Sequence, residues 1–209
     1  MILKIKNYNI NHGNKNFTYP DLEINEGECI SLMGSSGCGK TTLLNSLFSL
    51  NFQGKAQWEE ALLFSKDIKL WGEEKYEALS YMPQYAQDGF NPLMTIEKHI
   101  ELVLENNRSN GGQENVKKYL EELELKEDIL KLYPSELSGG MKQRAAILLG
   151  FIKSPKLFVL DEPSSALDYY TVLKIVLFLK KRKEEGTSLL IVSHDEVFVD
   201  SLSDRVYQL

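Results

Sequence analysis

The sequence is poor in the residues and segments that mark secreted, zinc-stabilised or membrane-spanning chains. Its two cysteines, Cys29 and Cys38, are too few for a disulfide-stapled domain and lack the Cys and His companions of a structural zinc site. The longest uninterrupted apolar stretch, Ala145–Ile152, is far shorter than the about 20 residues that a membrane-spanning helix needs. The first eleven residues alternate apolar and polar side chains, which is not the pattern of a signal peptide. We therefore expect a soluble, cytoplasmic chain that reaches a membrane only through a partner.

The chain also has no excess of basic residues. The 209 residues include 24 Lys and Arg against 30 Asp and Glu, a formal net charge of −6, and 43% of them are hydrophobic. A negative chain is a poor ligand for the phosphate backbone of nucleic acids, so we expect no nucleic-acid partner. Small anions are not excluded, because a few aimed backbone amides can bind them.

The hydrophobic pattern predicts an α/β fold with a mainly parallel sheet. Short apolar runs between helical patterns are typical of parallel strands that are covered on both faces. These runs are Cys29–Met33, Leu79–Met82, Leu157–Leu160 and Leu189–Val192, and the alternation from Leu3 to Ile10 predicts further, half-buried β structure.

Helical patterns replace strands between residues 85 and 153. They cover Thr95–Glu105, Glu114–Leu132 and Met141–Lys153, with a loop at 106–113 that we expect to be flexible. We therefore predict one domain over residues 1–209, in which 1–84 and 154–209 form the α/β core and 85–153 form an inserted helical subdomain.

A glycine-rich segment after the run Cys29–Met33 matches the pattern G-x4-G-K-[ST] and opens a helix. Its glycines let successive backbone N–H groups converge on phosphate oxygens at a helix N-terminus. We expect Lys40 to contact the β- and γ-phosphates of a nucleoside triphosphate, and the Thr41 hydroxyl to bind Mg²⁺. The predicted phosphate-binding residues are Gly34, Ser35, Ser36, Gly37, Cys38, Gly39, Lys40, Thr41 and Thr42.

Two adjacent carboxylates, Asp161 and Glu162, follow the apolar run Leu157–Leu160. Charges at the end of a buried strand are costly unless they have partners. Beside a Mg-nucleotide both have a role, because Asp161 can hold the metal and Glu162 can polarise the attacking water.

The segment Leu137–Arg144 contains Ser138, Gly139 and Gly140 at the start of a helical pattern, which predicts a second anion site. This segment resembles the LSGGQ-type signature of ABC (ATP-binding cassette) ATPases, and it stands between the glycine-rich phosphate loop and the Asp161-Glu162 pair. The resemblance covers essentially the whole chain. It implies a P-loop NTPase core with a mainly parallel sheet, an N-terminal antiparallel β-subdomain and an inserted α-helical subdomain. It also implies ATP and Mg²⁺ as cofactors and a head-to-tail dimer, in which the signature faces the γ-phosphate bound to the opposite subunit.

The resemblance also implies roles for residues that stand at the family's positions. Gln84 resembles the Q-loop glutamine that senses Mg²⁺ and the γ-phosphate, Asp168 the D-loop aspartate at the dimer interface, and His194 the switch histidine that contacts the γ-phosphate. The catalytic set implied is Glu162, His194, Lys40 and Gln84, and the metal-binding set is Thr41, Gln84 and Asp161.

The aromatic residue that stacks on adenine in the family is missing from its usual place. His12 is the nearest candidate, and the alternatives are Phe17, Tyr19 and Tyr8. The chain resembles the separate ATPase subunit of a bacterial-type transporter, and its Asn91-Pro92 and Tyr133-Pro134 pairs resemble the peptide/nickel import subfamily.

That resemblance implies partners and a location. The partners are transmembrane permease subunits, a second ABC ATPase subunit in a homo- or heterodimer, and, as a further candidate, a solute-binding protein; the location is the inner face of the membrane. Phe90, Leu93 and Met94 are either permease contacts or packing residues of the helical subdomain. Two alternatives remain open at this point, an exporter ATPase subunit and a non-transport ABC ATPase that acts as a clamp or regulator.

Overall fold

The computed structural model of the chain describes residues 1–49, 51–106 and 112–209, so most of the predicted loop at 106–113 lies outside the described residues. The strands are β1 (Leu3–Lys6), β2 (Asn9–His12), β3 (Lys15–Thr18), β4 (Leu22–Ile24), β5 (Cys29–Met33), β6 (Lys55–Gln57), β7 (Glu60–Leu63), β8 (Lys66–Asp67), β9 (Leu79–Met82), β10 (Leu157–Asp161), β11 (Ser188–Val192) and β12 (Arg205–Gln208). The α-helices are α1 (Lys40–Phe48), α2 (Ile96–Glu105), α3 (Gly112–Glu122), α4 (Gly139–Phe151), α5 (Tyr169–Glu184) and α6 (Glu196–Leu202).

A parallel sheet in the order β12-β5-β11-β10-β9 forms the centre of the fold. Strand β10 is buried along its whole length and its side chains alternate between two cores. Phe158 and Leu160 pack in the core that includes helices α2 to α6, whereas Leu157 and Val159 pack in the core beneath α1 and the amino-terminal strands. The predicted parallel sheet with both faces covered is therefore confirmed.

Two antiparallel sheets, β4-β1-β7-β8 and β3-β2-β6, form the amino-terminal subdomain that the family resemblance implied. The turn between β2 and β3 is tight, since His12 pairs with Lys15. The sequence analysis did not predict strands β6 to β8. Strands β6 and β8 are short and have no buried residue, whereas Ala61 and Leu63 of β7 are buried.

Helices α2, α3 and α4 lie in the segment between β9 and β10. The prediction of one helix over Glu114–Leu132 is wrong. Helix α3 ends at Glu122, Glu124 has a left-handed backbone with φ of 50°, and a 3-10 turn follows at Glu127–Lys131. Arg144 of α4 donates hydrogen bonds to the carbonyl oxygens of Leu123 and Glu124, at 2.8 and 3.2 Å. This long-range cap satisfies the helix end, and no local pattern reveals it.

The last turn of α5 is basic, with Lys181, Arg182 and Lys183, and it makes contacts with a distant helix. Arg182 is 1% exposed, and its Nη2 donates to Glu122 Oε2 of α3 at 2.9 Å while its guanidinium lies 4.7 Å from the Tyr119 ring centre. This residue therefore ties the helical segment to the core. Within the described ranges, no helix combines the length and the apolar composition needed to cross a bilayer.

Candidate functional site

The carboxyl ends of four neighbouring parallel strands meet at one edge of the central sheet. Ligands in open α/β sheets bind at this edge, where the loops after the strands come together. Here the loops enclose a cavity of about 600 Å³, named the phosphate-loop cavity below. Its lining residues are His12, Lys15, Phe17, Gly34, Ser35, Ser36, Gly37, Gly39, Lys40, Thr41, Thr42, Gln84, Asp161, Glu162 and His194.

The backbone of the glycine-rich loop requires glycine at position 39. Gly39 has φ of 102°, and a Cβ there would lie 2.6 Å from Phe17 Cδ1 and 2.8 Å from the Tyr19 hydroxyl. The Tyr19 hydroxyl, which is buried, donates to the Gly39 carbonyl oxygen at 2.9 Å. Strand β3 and the residues after it therefore hold the loop in place against α1.

Lys40 begins α1 and is 9% exposed. Its Nζ donates to the carbonyl oxygens of Gly34 and Ser35 at 2.7 and 3.2 Å. The ammonium group thus lies over the loop, where it donates hydrogen bonds to backbone carbonyl oxygens. It can exchange these acceptors for a stronger one, such as a phosphate oxygen.

Asp161 is the most deeply buried acid of the site, at 1% exposure. Its Oδ2 accepts a hydrogen bond from the Thr41 hydroxyl at 2.8 Å, and its Oδ1 has no hydrogen-bond partner among the described residues. Burial raises the pKa of Asp161, and the Thr41 hydrogen bond only partly offsets this. A buried carboxylate oxygen without a partner, next to a hydroxyl, fits a divalent cation.

Glu162 and His194 lie together in the lining of the cavity. His194 Nδ1 is 2.8 Å from Glu162 Oε2, although the two residues are far apart in sequence. Glu162 has a left-handed backbone with φ of 52°, and its N–H donates to the carbonyl oxygen of Val192 at 2.7 Å. The loop after β10 is thereby joined to β11, which places the carboxylate next to the histidine.

The β2–β3 hairpin covers one side of the cavity. His12 lines it and stacks on Phe52, with 5.6 Å between ring centres. Lys15 is an exposed cation that also lines the cavity, and sequence reasoning missed it. Lys15 reaches the cavity because the hairpin register pairs it with His12, and the sequence does not give that register.

Five of the predicted site residues do not line this cavity. Cys38 is half-buried, with its Sγ 3.9 Å from Lys40 Nζ. Asp168 is exposed and caps α5, and Ser138 caps α4 by accepting a hydrogen bond from the Met141 N–H at 3.2 Å. The others are the two glycines that follow Ser138, Gly139 and Gly140.

Comparison with known proteins identifies the family. The ABC transporter family model matches residues 17–165, more than half of the chain. A probable amino-acid ABC transporter ATP-binding protein of Haemophilus influenzae is 35% identical over 208 residues, which cover 96% of this chain and 79% of the relative. The oligopeptide transport ATP-binding protein OppF of Salmonella typhimurium is 32% identical over 192 residues, covering 88% of this chain and 57% of its own length. The chain thus spans less than two thirds of that second relative.

Solved structures agree in fold. An ATP-binding subunit of an ABC transporter superposes with a TM-score of 0.86 at 21% identity, over 100% of this chain and 86% of the other. A dimeric ATP-binding cassette in a post-hydrolysis state, bound to ADP and Pi, superposes with a TM-score of 0.81 at 28% identity, over 100% of this chain and 94% of the other. The family match and the shared fold show that the chain belongs to the ABC transporter family, in which it is an ATP-binding cassette and an ATPase.

Proposed function

We propose that this chain hydrolyses Mg-ATP to power the import of a small solute through a separate membrane permease, working as a head-to-tail dimer with a second cassette. One observation carries the proposal. The described cavity brings together a lysine, a hydroxyl, a buried carboxylate, a second carboxylate and a histidine, namely Lys40, Thr41, Asp161, Glu162 and His194. This is the set of groups that phosphoryl transfer to water requires.

The phosphate-binding half of the site consists of the glycine-rich loop and the start of α1. Backbone N–H groups at a helix N-terminus attract anions, and Lys40 adds a full positive charge next to them. When a triphosphate is bound, Lys40 exchanges the carbonyl oxygens of Gly34 and Ser35 for phosphate oxygens. Lys15 supplies a second cation from the hairpin side.

The residues present fit a magnesium ion. The Thr41 hydroxyl and Asp161 are adjacent, and the unpartnered Oδ1 of Asp161 is available as an acceptor. The described residues contain no group of three or more His, Cys, Asp or Glu side chains that could hold a metal by themselves. Mg²⁺ suits such a sparse site, because it commonly combines one or two protein ligands with phosphate oxygens and water. When bound, the ion supplies positive charge to the β- and γ-phosphates.

Glu162 is the proposed general base. Its carboxylate lines the same cavity as Lys40, and the His194 ring orients it through the 2.8 Å contact. Glu162 accepts the proton of the attacking water, while Lys40 and His194 stabilise the charge of the transferring phosphoryl group. We propose that Gln84, which lines the cavity from the β9 side, reports the state of the site to the helical subdomain.

Exposure of the signature segment supports the dimer. Ser138 and Gly139 are exposed and belong to a different part of the surface from the chain's own cavity. A Cβ built on Gly139 would meet no described atom within 4 Å, so packing inside this chain does not explain the glycine. We propose that Ser138, Gly139, Gly140 and Asp168 face the nucleotide of a second cassette. Two of the similar solved structures are dimeric cassettes.

An apolar cleft between β9 and helices α2 and α4, of about 650 Å³, is the proposed permease-docking site. Phe90 lines this cleft and packs edge-on against His99, with 5.1 Å between ring centres, whereas Leu93 is 85% exposed. We propose that Phe90 both packs in the cleft and contacts the permease, and that Leu93 and the half-buried Met94 contact it from the surface. Relatives are named for amino-acid, dipeptide and oligopeptide transport, which supports a small solute such as a peptide and a position at the inner membrane face.

Glu162→Gln tests the proposal. Because the amide cannot accept the proton, we expect steady-state hydrolysis to fall by about 10²–10⁴-fold, with ATP binding retained and an ATP-dependent dimer accumulating. Glu184→Gln, the same change at an exposed position of α5, is the matched control. Phosphate release and size-exclusion chromatography with and without Mg-ATP measure the two effects. Turnover close to that of the parent chain would exclude Glu162 as the base.

A further inference from the structure

The first turn of α5 and the first turn of the signature helix α4 meet at Thr171. This residue is 4% exposed, and both of its donors are bound by one carboxylate. Asp168 Oδ1 accepts from the Thr171 N–H at 2.9 Å, and Asp168 Oδ2 accepts from the Thr171 hydroxyl at 2.7 Å. The Thr171 hydrogen bonds lower the pKa of Asp168, so the carboxylate is ionised at neutral pH and the bonds are charge-assisted.

The same Thr171 hydroxyl lies next to Gly140. A Cβ on Gly140 would lie 2.8 Å from Thr171 Oγ1, closer than side chains pack, and 3.4 Å from Thr171 Cγ2. Gly139, the preceding residue, has open space at the same position. The two glycines therefore serve different purposes. Gly140 is required by Thr171 of the same chain, whereas Gly139 leaves room for something outside the chain.

We infer that Thr171 is a positioning residue, which fixes the signature helix and the Asp168 cap to each other so that they meet the second cassette as one unit. This inference rests on the proposed dimer, because Ser138 and Asp168 act together only if both face the same partner. Thr171 is buried and does not line the phosphate-loop cavity, so it contacts neither the nucleotide of its own chain nor the reacting atoms.

The chain of contacts is short and continuous. It runs from the exposed Asp168 carboxylate, through the Thr171 hydroxyl, to the position that a Cβ of Gly140 would take, one residue from the exposed Gly139. Without the hydroxyl bond, Asp168 keeps only backbone N–H partners, so its carboxylate is less firmly fixed relative to Thr171 and α4. The two segments would then have to be ordered separately when the dimer forms, and that ordering costs free energy.

The experiment compares Thr171→Val with Thr171→Ser, each in the full chain carrying Glu162→Gln. Valine has nearly the same shape but no hydroxyl, whereas serine keeps the hydroxyl and loses only the methyl group. Because the hydroxyl bonds an ionised carboxylate, and that carboxylate is exposed to solvent, we expect the valine variant to weaken the ATP-dependent dimer about tenfold. The serine variant should restore dimerisation, and binding of ATP to the monomer should be unchanged in both.

Sedimentation equilibrium with Mg-ATP measures the dimer, and a fluorescent ATP analogue titrated into dilute protein measures the monomer. If the Glu162→Gln parent does not dimerise, the proposed function fails and the inference fails with it. If the parent dimerises and the valine variant dimerises equally well, only the inference is overturned. Loss of monomer binding in the valine variant would also overturn it, because the role would then be general stability.

A double-mutant cycle checks the contact without using the dimer. Gly140→Ala should lower the unfolding temperature of the chain, because the new methyl group meets Thr171 Oγ1. In a Thr171→Ala background the hydroxyl is gone, so the same change should cost clearly less. Gly139→Ala, which adds a methyl group in open space on the neighbouring residue, is the matched control. Equal costs for Gly140→Ala in both backgrounds would contradict the proposed contact.

Discussion

Asp161→Asn should raise the stability of the nucleotide-free chain while it abolishes the stabilisation that Mg²⁺ adds. Asp161 is 1% exposed, one of its carboxylate oxygens has no described hydrogen-bond partner, and burial raises its pKa. The ionised group therefore opposes folding. An amide removes the charge, has nearly the same shape and still accepts the hydrogen bond of Thr41.

The magnitude follows from the geometry. A buried polar group left without its partner costs about 1–3 kcal/mol, and more when charged. The amide of the variant keeps the Thr41 hydrogen bond but places an N–H where the unpartnered oxygen was. We therefore expect a gain at the lower end of this range, about 1 kcal/mol. For a domain of this size, that corresponds to a rise of about 2–4 °C in Tm.

The gain should depend on pH with a definite sign. A carboxyl group whose pKa is higher in the folded state favours folding at low pH, and this contribution is lost as pH rises through the folded-state pKa. The variant should therefore exceed the parent chain in stability at neutral and alkaline pH, and the two should converge in acid below the ordinary Asp pKa of 3.8.

Thermal unfolding of both proteins across this pH range, with and without Mg-ATP, provides the assay. Asp200→Asn makes the same chemical change at an exposed position of α6 and should show neither effect. A variant that is less stable than the parent at pH 8, or a difference that does not change with pH, would refute the reasoning. So would full retention of the Mg²⁺-dependent rise in Tm produced by ATP.

Three further predictions concern packing, titration and docking. Arg182→Met should cost about 2 kcal/mol in urea unfolding, because Glu122 then keeps only its more exposed partner Lys181, whereas Lys181→Met should cost less than about 1 kcal/mol because it leaves the buried pair intact. Burial lowers the pKa of Lys153 to about 8, so its contribution to stability should rise between pH 8 and 10.5, and Lys153→Met should remove that rise in unfolding scans. Leu93→Asp should reduce co-purification with membranes relative to the control Leu70→Asp, which is also exposed, without changing ATP hydrolysis by the isolated chain.

Much of the site could be predicted from local sequence because its parts are short and contiguous. The loop from Gly34 to Thr41 needs only its glycines, a preceding strand and a following helix, and the structure has all three. Asp161 and Glu162 follow a buried strand directly, so their place at the sheet edge follows from strand polarity.

Other features could not be read from any window of the chain. The helix predicted across 114–132 ends at the left-handed Glu124, where Leu125 N–H donates to the Leu120 carbonyl oxygen and Arg144, from a different helix, adds its cap. The basic end of α5 has the pattern of a solvated helix terminus, yet Arg182 is buried because Glu122 of α3 lies opposite it. In both cases a partner distant in sequence makes a contact that the local pattern does not show.

The sequence by itself determined the chemical groups of this protein and their order, since phosphate loops, strand-end carboxylates and helix caps depend on neighbours within a few residues. Only the tertiary structure decided which groups meet. The order β5-β11-β10 places Thr41 beside Asp161 and Glu162 beside His194, and helix packing sets Gly140 against Thr171. The physical reason is that burying apolar strands and helices selects one sheet order, and that order fixes every contact between polar residues distant in sequence.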